Sequence, residues 1–270
     1  MAYNKYYLQK RQVSYDNGLT WEDVTPSETR QGAFIDSYET LSDCEGVIDY
    51  SKQYLTFVAE ADGLSISNNS SNTFLYSTNG GENWSPLFGN QETDMVYSGE
   101  TIMLKGTNPT VGNGIGSLTP NATARVEGNI MSLIYGDDFV GQTVIPNNTE
   151  FYGLFLGCHN LTSAENLILP ATTLTVACYG EMFNNCYNLT TAPELPATTL
   201  VPGCYYRMFQ NCSNLNYIKC LATDISADSC LSIWVAFVSS TGTFVKNAAM
   251  NDWPTGSSGI PNGWTVIDNS

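Results

Sequence analysis

The second half of the chain contains an internal repeat, and no other feature constrains the fold as strongly. The motif F-x-x-C-x-N-L-[TN] begins at Phe155, Phe183 and Phe209. A second marker, LPATTL, begins at Leu169 and again at Leu195. Three cysteines keep the same 26-residue interval: Cys178, Cys204 and Cys230. Because two independent markers share one period, the pattern indicates structural repeats that stack on one another.

A repeat of this length is typical of a leucine-rich coil, which contains a short strand and a helix or tight turn. Each coil exposes an apolar flank that only its neighbours can cover, so equivalent side chains should form columns. The predicted columns are Leu161, Leu189 and Leu215; Phe183 and Phe209; Cys186 and Cys212. Apolar residues at helical spacing predict a short helix at residues 178–183. The Asn of each N-L pair is expected to turn its amide inward.

Upstream of the repeats the pattern changes to short alternating runs separated by Gly and Asn. These runs predict strands of a small antiparallel sandwich at residues 55–59, 64–67, 73–77 and 101–105. A hairpin is predicted at the N terminus, where residues 6–14 pair with residues 20–25. The predicted fold is mainly β with short helices. Its parts are a hairpin arm and linker (1–52), a β-sandwich-like domain (53–128) and a solenoid with a tryptophan-rich C-terminal cap (129–270).

Composition and charge narrow the range of partners. The chain has ten Lys and Arg residues and 26 Asp and Glu residues, which gives a net charge of -16. Nucleic acid would be repelled and is not an expected partner. Solubility is the first explanation of the acidity, and attraction of a cation or a basic partner is the alternative. No stretch reaches the roughly 18 apolar residues of a membrane span, so membrane insertion is not expected.

Seven of the eight cysteines lie between Cys158 and Cys230 and follow the repeat. Stacking explains their spacing, so a ladder of small buried thiols is the first interpretation. Disulfides are the second interpretation. Zinc is the third, because the chain has no C-x-x-C pair and a single histidine. We expect no metal and no cofactor.

Two segments match the Asp-box hairpin, S-x-D-x-G-x-T-W. Residues 14–21 fit it well, and residues 77–84 are a looser copy. In this motif Asp or Asn closes the turn, Gly adopts a positive φ and Trp packs back across the hairpin, so a structural role is preferred. Asp boxes also occur in sialidases. Those enzymes need a cluster of arginines, whereas the four arginines here are scattered at 11, 30, 125 and 207.

The remaining candidate residues do not form a catalytic pattern. His159 is the only histidine, and Tyr187 and Ser213 take its place in the next two repeats, so we expect it to face solvent. Asp137 and Asp138 form an acid pair of a kind that an acidic chain carries by chance. We therefore predict no catalytic residues and a protein that is not an enzyme. A glycosidase is the class of enzyme that stays open.

The repeats resemble those of BspA-like leucine-rich-repeat proteins. The resemblance covers about residues 50–270 and depends on VEGNIMSLIYG at 126–136, on the repeats in 182–222 and on the ending at 242–266. That family occurs on the surfaces of gut anaerobes and is also encoded by their tailed phages. Residues 13–34 are similar to a hairpin module attached to such proteins. The resemblance implies adhesion or display. The sequence shows no export signal, and this favours the members of the family that phages encode.

These observations predict a non-enzymatic virion protein made in the host cytoplasm, either a head fibre or decoration protein or a tail-fibre component. The hairpin arm would dock on other virion proteins, and the rest would face a host-surface glycan or protein. A homo-oligomer suits a fibre, although no coiled-coil seam supports it. The alternative is a bacterial cell-surface adhesin or glycan-binding protein. A ligand surface would include the tyrosines between coils, for which packing is the alternative role: Tyr179, Tyr187, Tyr205 and Tyr206.

Overall fold

The fold is mainly β, as the sequence predicts. A computed structural model of the chain describes residues 48–112 and 114–269, together with the backbone of three short strands nearer the N terminus. The chain divides into two compact units, Met1–Asp49 and Tyr50–Ser270. Within the described residues α-helix is confined to one turn, α1, at Ser132–Tyr135. Short 3₁₀ turns occur at Tyr50–Lys52 and Gly136–Asp138.

The first unit contains the predicted N-terminal hairpin. Strand β1 (Arg11–Ser14) pairs antiparallel with β2 (Glu22–Val24). A third strand, β3 (Ala33–Phe34), was not predicted and pairs with the other edge of β1. The turn of the first Asp-box motif, at residues 15–21, and the predicted linker around Cys44 lie outside the described residues.

The second unit is built from short strands in three sheets. Its strands are β4 (Leu55–Ala59), β5 (Ile66–Asn68), β6 (Phe74–Ser77), β7 (Ser85–Leu87), β8 (Gln91–Glu92), β9 (Thr101–Lys105), β10 (Leu118–Pro120), β11 (Ala124–Asn129), β12 (Leu161–Ser163), β13 (Leu167–Ile168), β14 (Tyr217–Cys220), β15 (Thr243–Asn247) and β16 (Thr265–Asn269). One sheet has the order β12-β11-β4-β9-β6-β7, a second has the order β10-β5-β8, and a third contains the parallel strands β14-β15-β16. The four predicted strands are present, and β4 and β9 have the predicted bounds.

Strand β11 connects the two parts that the sequence assigned to separate domains. The predicted boundary between residues 128 and 129 falls inside this strand. On one side β11 pairs antiparallel with β4, and on the other it pairs parallel with β12 and β13. Phe57 of β4 packs edge-on against Phe155 of the first repeat, with ring centroids 5.9 Å apart. One continuous core runs from Leu55 to Trp264. Residues 50–270 therefore form a single compact unit.

Each repeat contains a run of consecutive turns, which we name turn segments 1 to 4. They cover residues 149–158, 177–186, 203–212 and 229–238. The prediction of a short helix in these segments is wrong. Apolar residues such as Cys178, Met182 and Cys186 recur at every fourth position, which matches helical spacing. In the structure the same interval arises because two successive turns advance the chain by four residues.

Hydrogen bonds show why the turn segments are not helices. The amide of every second residue donates to the carbonyl three residues earlier, as Met182 does to Tyr179. The intervening amides donate to the next segment, so that Tyr179 donates to Cys204 over 3.1 Å and Phe183 donates to Met208 over 2.9 Å. An α-helix would use all of these amides within itself. The segments are instead joined to one another along the stack by main-chain hydrogen bonds.

The turn segments share a backbone pattern that stays in register through all four repeats. Every fourth residue has a positive φ, as the third residue of a type II turn requires. These residues form three columns: Thr149, Ala177, Gly203 and Ser229; Gly153, Glu181, Arg207 and Ile233; Gly157, Asn185, Asn211 and Phe237. Glycine adopts this conformation freely, whereas other residues lose about 1 kcal/mol each. The repeated turns therefore depend on contacts that outweigh this local loss.

The core between the turn segments and the strands consists of stacked side chains. Parallel bridges join Ser163 to Thr191 and Thr191 to Tyr217, so the first interval along the stack is 28 residues and the second is 26. The same intervals set three fully buried leucines in register: Leu161, Leu189 and Leu215. The phenylalanine column also forms, with ring centroids 5.4 Å apart for Phe155 and Phe183. The next pair, Phe183 and Phe209, lies 5.6 Å apart.

Two aromatic columns meet at Trp234. Its ring centroid lies 6.1 Å from that of Phe209 and 6.4 Å from that of Tyr205. On its other side Trp253 stacks on it at 6.2 Å. The indole Nε1 of Trp234 donates to the carbonyl of Gly259 over 2.9 Å. The segment after turn segment 4 therefore covers the last rings of the stack.

Candidate functional site

Two of the four tyrosines predicted for a ligand surface belong to the core. Tyr179 and Tyr205 are each 1% exposed, and their ring centroids stack 6.2 Å apart. Burial raises the pKa of both phenols well above its ordinary value. These two residues cannot contact a ligand, which corrects the sequence-based expectation. Tyr187 is 44% exposed and Tyr206 is half-buried, so both reach the surface.

The solvent side of the turn segments, which we name the outer face, follows the four-residue interval of the turns. In segment 3, Tyr206 and Arg207 are half-buried, whereas Tyr205 and Met208 on either side of them are buried. The aligned repeats place equivalent pairs in the two preceding segments: Gly180 with Glu181 and Tyr152 with Gly153. Neighbouring segments therefore present these side chains next to one another.

Four of these residues form what we name the outer-face cluster: Tyr152, Glu181, Tyr206 and Arg207. The Tyr152 phenol lies next to the Glu181 carboxylate. Arg207 Nη1 lies 3.7 Å from Glu181 Oε1. The guanidinium carbon of Arg207 lies 4.9 Å from the centroid of the Tyr206 ring, within the range of a cation–π contact. Burial, helped by the Glu181 charge, raises the pKa of Tyr152 to about 12, so its phenol stays protonated.

Gly180 makes room for the cluster. A Cβ atom at this position would lie 2.7 Å from the Tyr152 ring, closer than van der Waals contact permits. The equivalent positions in segments 1 and 3 hold Tyr152 and Tyr206. Because segment 2 has no side chain here, the edge of the Tyr152 ring occupies this space, and its phenol lies near Glu181. The aligned positions of segments 1 to 3 thus place the Glu181 carboxylate and the Arg207 guanidinium near the rings of Tyr152 and Tyr206.

Some polar atoms of this region have no hydrogen-bond partner among residues 48–112 and 114–269. Arg207 Nε is buried and unpaired. The 3.7 Å separation between Arg207 Nη1 and Glu181 Oε1 also exceeds hydrogen-bond length. The Arg207 side chain is nevertheless 39% exposed. Oδ1 of Asn184, one turn further along segment 2, is likewise buried and unpaired. The exposed part of the guanidinium therefore offers donors to a ligand.

A second aromatic pair lies further along the outer face. The rings of His159 and Tyr187 stack with centroids 4.7 Å apart and an interplanar angle of 5°. His159 is exposed, as predicted, and its Nδ1 lies 2.9 Å from the carbonyl oxygen of Asn185. Asn188 is exposed as well, and its amide donates to the His159 carbonyl over 2.7 Å. The prediction that this Asn turns inward is wrong, because its partner lies on the surface of the preceding repeat.

The seven described cysteines are buried free thiols. Cys186 Sγ donates to the Phe155 carbonyl over 3.1 Å, and the equivalent thiol of the next repeat bonds in the same way. Burial raises the pKa of Cys178 to about 12. Such thiols stay protonated and are poor nucleophiles. No group of three or more His, Cys, Asp or Glu residues that could hold a metal occurs in the described part of the chain. Cys44 lies outside it.

The second Asp-box motif forms a turn with a structural role. Ser77 Oγ accepts a hydrogen bond from the amide of Gly81 over 2.9 Å. Trp84 packs against Lys105, whose Nζ lies 4.1 Å from the ring centroid. Lys105 also pairs with Asp137 over 2.6 Å, and this hydrogen bond holds the pKa of the Asp137 carboxyl below its usual value. Asp137 is thus part of an ion pair with Lys105.

Comparison with known proteins adds no relative. No protein-family model, no curated protein and no solved structure matches the chain. Across the described residues, the helical segments are all too short to cross a bilayer. The outer-face cluster combines a carboxylate, a guanidinium and two phenols, which are groups suited to hydrogen bonding and stacking with a ligand.

Sequence reasoning missed three of the four cluster residues, namely Tyr152, Glu181 and Arg207. The signal was available in the repeat alignment. The third residue before the phenylalanine of the motif is Tyr152 in the first repeat, Gly180 in the second and Tyr206 in the third. Reading down these columns would have placed the residues side by side. The closeness of the Tyr152 phenol to Glu181 depends on side-chain direction, which the alignment does not supply.

Proposed function

We propose that the chain is a non-enzymatic attachment or display module built on a leucine-rich-repeat-type solenoid. In this proposal residues 129–270 form the solenoid, and the tryptophan-rich segment after residue 238 is its C-terminal cap. The main-chain hydrogen bonds between successive turn segments support the solenoid. The packing of Trp253 on Trp234 supports the cap. The antiparallel sheets before residue 129 would be the sandwich-like base.

The observation that carries the functional proposal is the regular outer face. Equivalent positions of successive turn segments share their backbone conformation. Fully buried rings such as Phe183 and Phe209 hold the segments in place from behind. A preorganised surface loses little conformational entropy when it binds. A rigid face with donors, acceptors and aromatic rings therefore meets the physical requirements of an attachment surface.

We place this module on a phage particle, as a head fibre or decoration protein or as a tail-fibre component. The first unit, Met1–Asp49, would dock on other virion proteins. Two observations support this assignment. Met1–Asp49 is a compact unit of its own, and residues 13–34 resemble a hairpin module. The second unit would present the outer face to a glycan or protein of the host surface. A homo-oligomer would multiply such contacts.

Immunoblotting of particle fractions tests the proposal. Phage particles from the producing strain are purified on a density gradient and probed for this protein, with the major capsid protein as positive control and a host cytosolic enzyme as negative control. We expect the protein to sediment with the capsid protein. Its restriction to the soluble lysate, or its presence in cells that contain no phage, would reject the assignment to a particle.

A bacterial cell-surface adhesin or glycan-binding protein is the second candidate. The partly exposed side chain of Arg207, which makes no direct hydrogen bond to Glu181 at 3.7 Å, favours it. The coding region upstream of Met1 discriminates the two candidates, because an export or lipoprotein signal there would support the adhesin. Protease treatment of intact cells that releases fragments of this protein would support it independently.

A further inference from the structure

We infer that the outer-face cluster is a binding site for a neutral saccharide, whose hydroxyl groups bridge Arg207 and Glu181. The inference depends on the proposed attachment function and names the chemical class of its ligand. It begins from the distance of 3.7 Å between Arg207 Nη1 and Glu181 Oε1. The two groups form an ion pair, but at this distance they make no direct hydrogen bond.

A hydroxyl group that approaches from the side can bridge these two side chains. Guanidinium nitrogens only donate hydrogen bonds, and an ionised carboxylate only accepts them. A hydroxyl group does both, and its oxygen can lie about 2.8 Å from both atoms at once. It would accept from Arg207 and donate to Glu181. Neighbouring hydroxyl groups on a sugar ring could use the other guanidinium nitrogens in the same way. The Tyr152 phenol lies beside the Glu181 carboxylate and provides a further hydroxyl group at the cluster.

The aromatic rings complete a surface of the kind that sugars bind. The Arg207 guanidinium carbon lies 4.9 Å from the centroid of the Tyr206 ring, a cation–π contact that restrains the guanidinium. The edge of the Tyr152 ring lies against Gly180, near Glu181. The C–H groups of a sugar ring pack against such apolar ring surfaces, while its hydroxyl groups reach the charged pair. Asn184, whose buried Oδ1 has no partner in the described residues, lies one turn further along the same segment.

Charge favours a neutral ligand over an acidic one. The chain has a net charge of -16, which repels anions at long range. Within the cluster an acidic group that approached Arg207 would also meet the Glu181 carboxylate, whose side chain is 15% exposed. Both effects oppose uronic acids, sulfated sugars and nucleic acids. A neutral saccharide is subject to neither repulsion.

The backbone of the turn segments disfavours an extended peptide. Peptides that bind to a sheet edge pair with free main-chain amides and carbonyls. In segments 2 and 3 the amides are used either three residues back or in the bond to the next segment, as Glu181 donates to Tyr206 over 2.7 Å. Recognition at this face therefore falls to side chains. That suits a ligand rich in hydroxyl groups.

Affinity electrophoresis of the full-length protein tests the inference. Native gels contain dextran, yeast mannan, galactomannan, mixed-linkage glucan or no polysaccharide, and polygalacturonate serves as the acidic comparison. We expect at least one neutral polysaccharide to slow the wild-type protein. R207K keeps the charge but loses the planar set of donors, and E181Q loses the charged acceptor. Each should weaken the retardation constant at least tenfold with unchanged thermal unfolding.

A matched control and defined outcomes make the test decisive. Lys219→Gln removes a cation that pairs with Glu194 over 2.9 Å on a different side of the repeat, and it should migrate like the wild type in every gel. Retardation by no neutral polysaccharide, retardation by polygalacturonate alone, or equal retardation of wild type, R207K and E181Q would each overturn the inference. None of these results would remove the protein from purified particles, so failure of the saccharide site and failure of the particle assignment are separable.

Discussion

Ionisation of Glu150 should make the stability of the second unit depend on pH. Its side chain is fully buried, and its Oε1 has no hydrogen-bond partner among the described residues. Oε2 accepts a hydrogen bond from Asn147 Nδ2 over 3.2 Å. Burial raises the pKa of this carboxyl group to about 7, against an ordinary value of 4.5. The group therefore carries its proton in the folded protein under mildly acidic conditions.

The sign and the size of the effect follow from these two values. Between pH 4.5 and 7 the unfolded chain releases the Glu150 proton while the folded chain keeps it. The folded state thus binds more protons, and the free energy of unfolding falls as the pH rises. Each pH unit in this interval corresponds to about 1.4 kcal/mol, so the full interval removes about 3 kcal/mol of stability. Above pH 7 the loss is complete.

Glu150→Gln isolates this contribution because an amide stays neutral at every pH. The free energy of unfolding is measured by urea denaturation of both proteins from pH 4.5 to 8. We expect the wild type to lose about 3 kcal/mol relative to the variant over this range, or about 6 to 12 °C in Tm. Other acidic groups are present in both proteins and cancel in the difference. Glu165→Gln, at an exposed carboxylate, is the matched control and should run parallel to the wild type. A Glu150→Gln profile that is also parallel to the wild type would refute the reasoning.

Four further outcomes test the stacked core and the turn segments. Phe209→Ala should lower the free energy of unfolding by about 3 to 5 kcal/mol in urea denaturation, because it removes a fully buried ring from the column; a loss below about 1 kcal/mol would contradict that packing. Ala177→Gly should raise stability by about 0.5 kcal/mol, since φ is +53° there and glycine adopts this value freely. Ala192→Gly, at a buried alanine without a positive φ, should lower stability by about 1 kcal/mol in the same assay. Iodoacetamide should modify none of the seven buried thiols in the native protein and all of them in urea, as read by peptide mass spectrometry; native labelling of Cys178 would contradict its burial.

The sequence predicts the stacking of the repeats because their markers report directly on buried contacts. Leu161, Leu189 and Leu215 keep their identity at the repeat interval, and an apolar column needs the same side chain in each layer. The strands β4 and β9 are also predictable, since both are short runs rich in apolar and β-branched residues; β4 is buried along its whole length, and in β9 the buried Ile102 and Leu104 alternate with less buried neighbours. The outer-face cluster was predictable in part, because Tyr206 was a candidate and the alignment places Tyr152 in its column.

The error over the helices has a definite physical cause. An apolar residue at every fourth position fits an α-helix and also fits a run of paired turns, because both return the chain to the same face after about four residues. Whether a segment forms a helix or paired turns depends on the hydrogen-bond acceptor of amides such as that of Tyr179. Here the acceptor is the carbonyl oxygen of Cys204 in the next repeat. A sequence window does not contain that partner. The same limit explains why Tyr179 and Tyr205 were expected on the surface.

By itself the sequence determines the repeat interval, the apolar columns, the mainly β class and the acidic charge, because each of these is a property of residue types and their spacing. Only the tertiary structure decides that the repeats turn where a helix was predicted, that one core joins residues on both sides of β11, and that Tyr152, Glu181, Tyr206 and Arg207 meet on one face. These features depend on hydrogen bonds and contacts between residues a full repeat apart. Such partners are set by how neighbouring repeats stack, and stacking is a property of the folded chain.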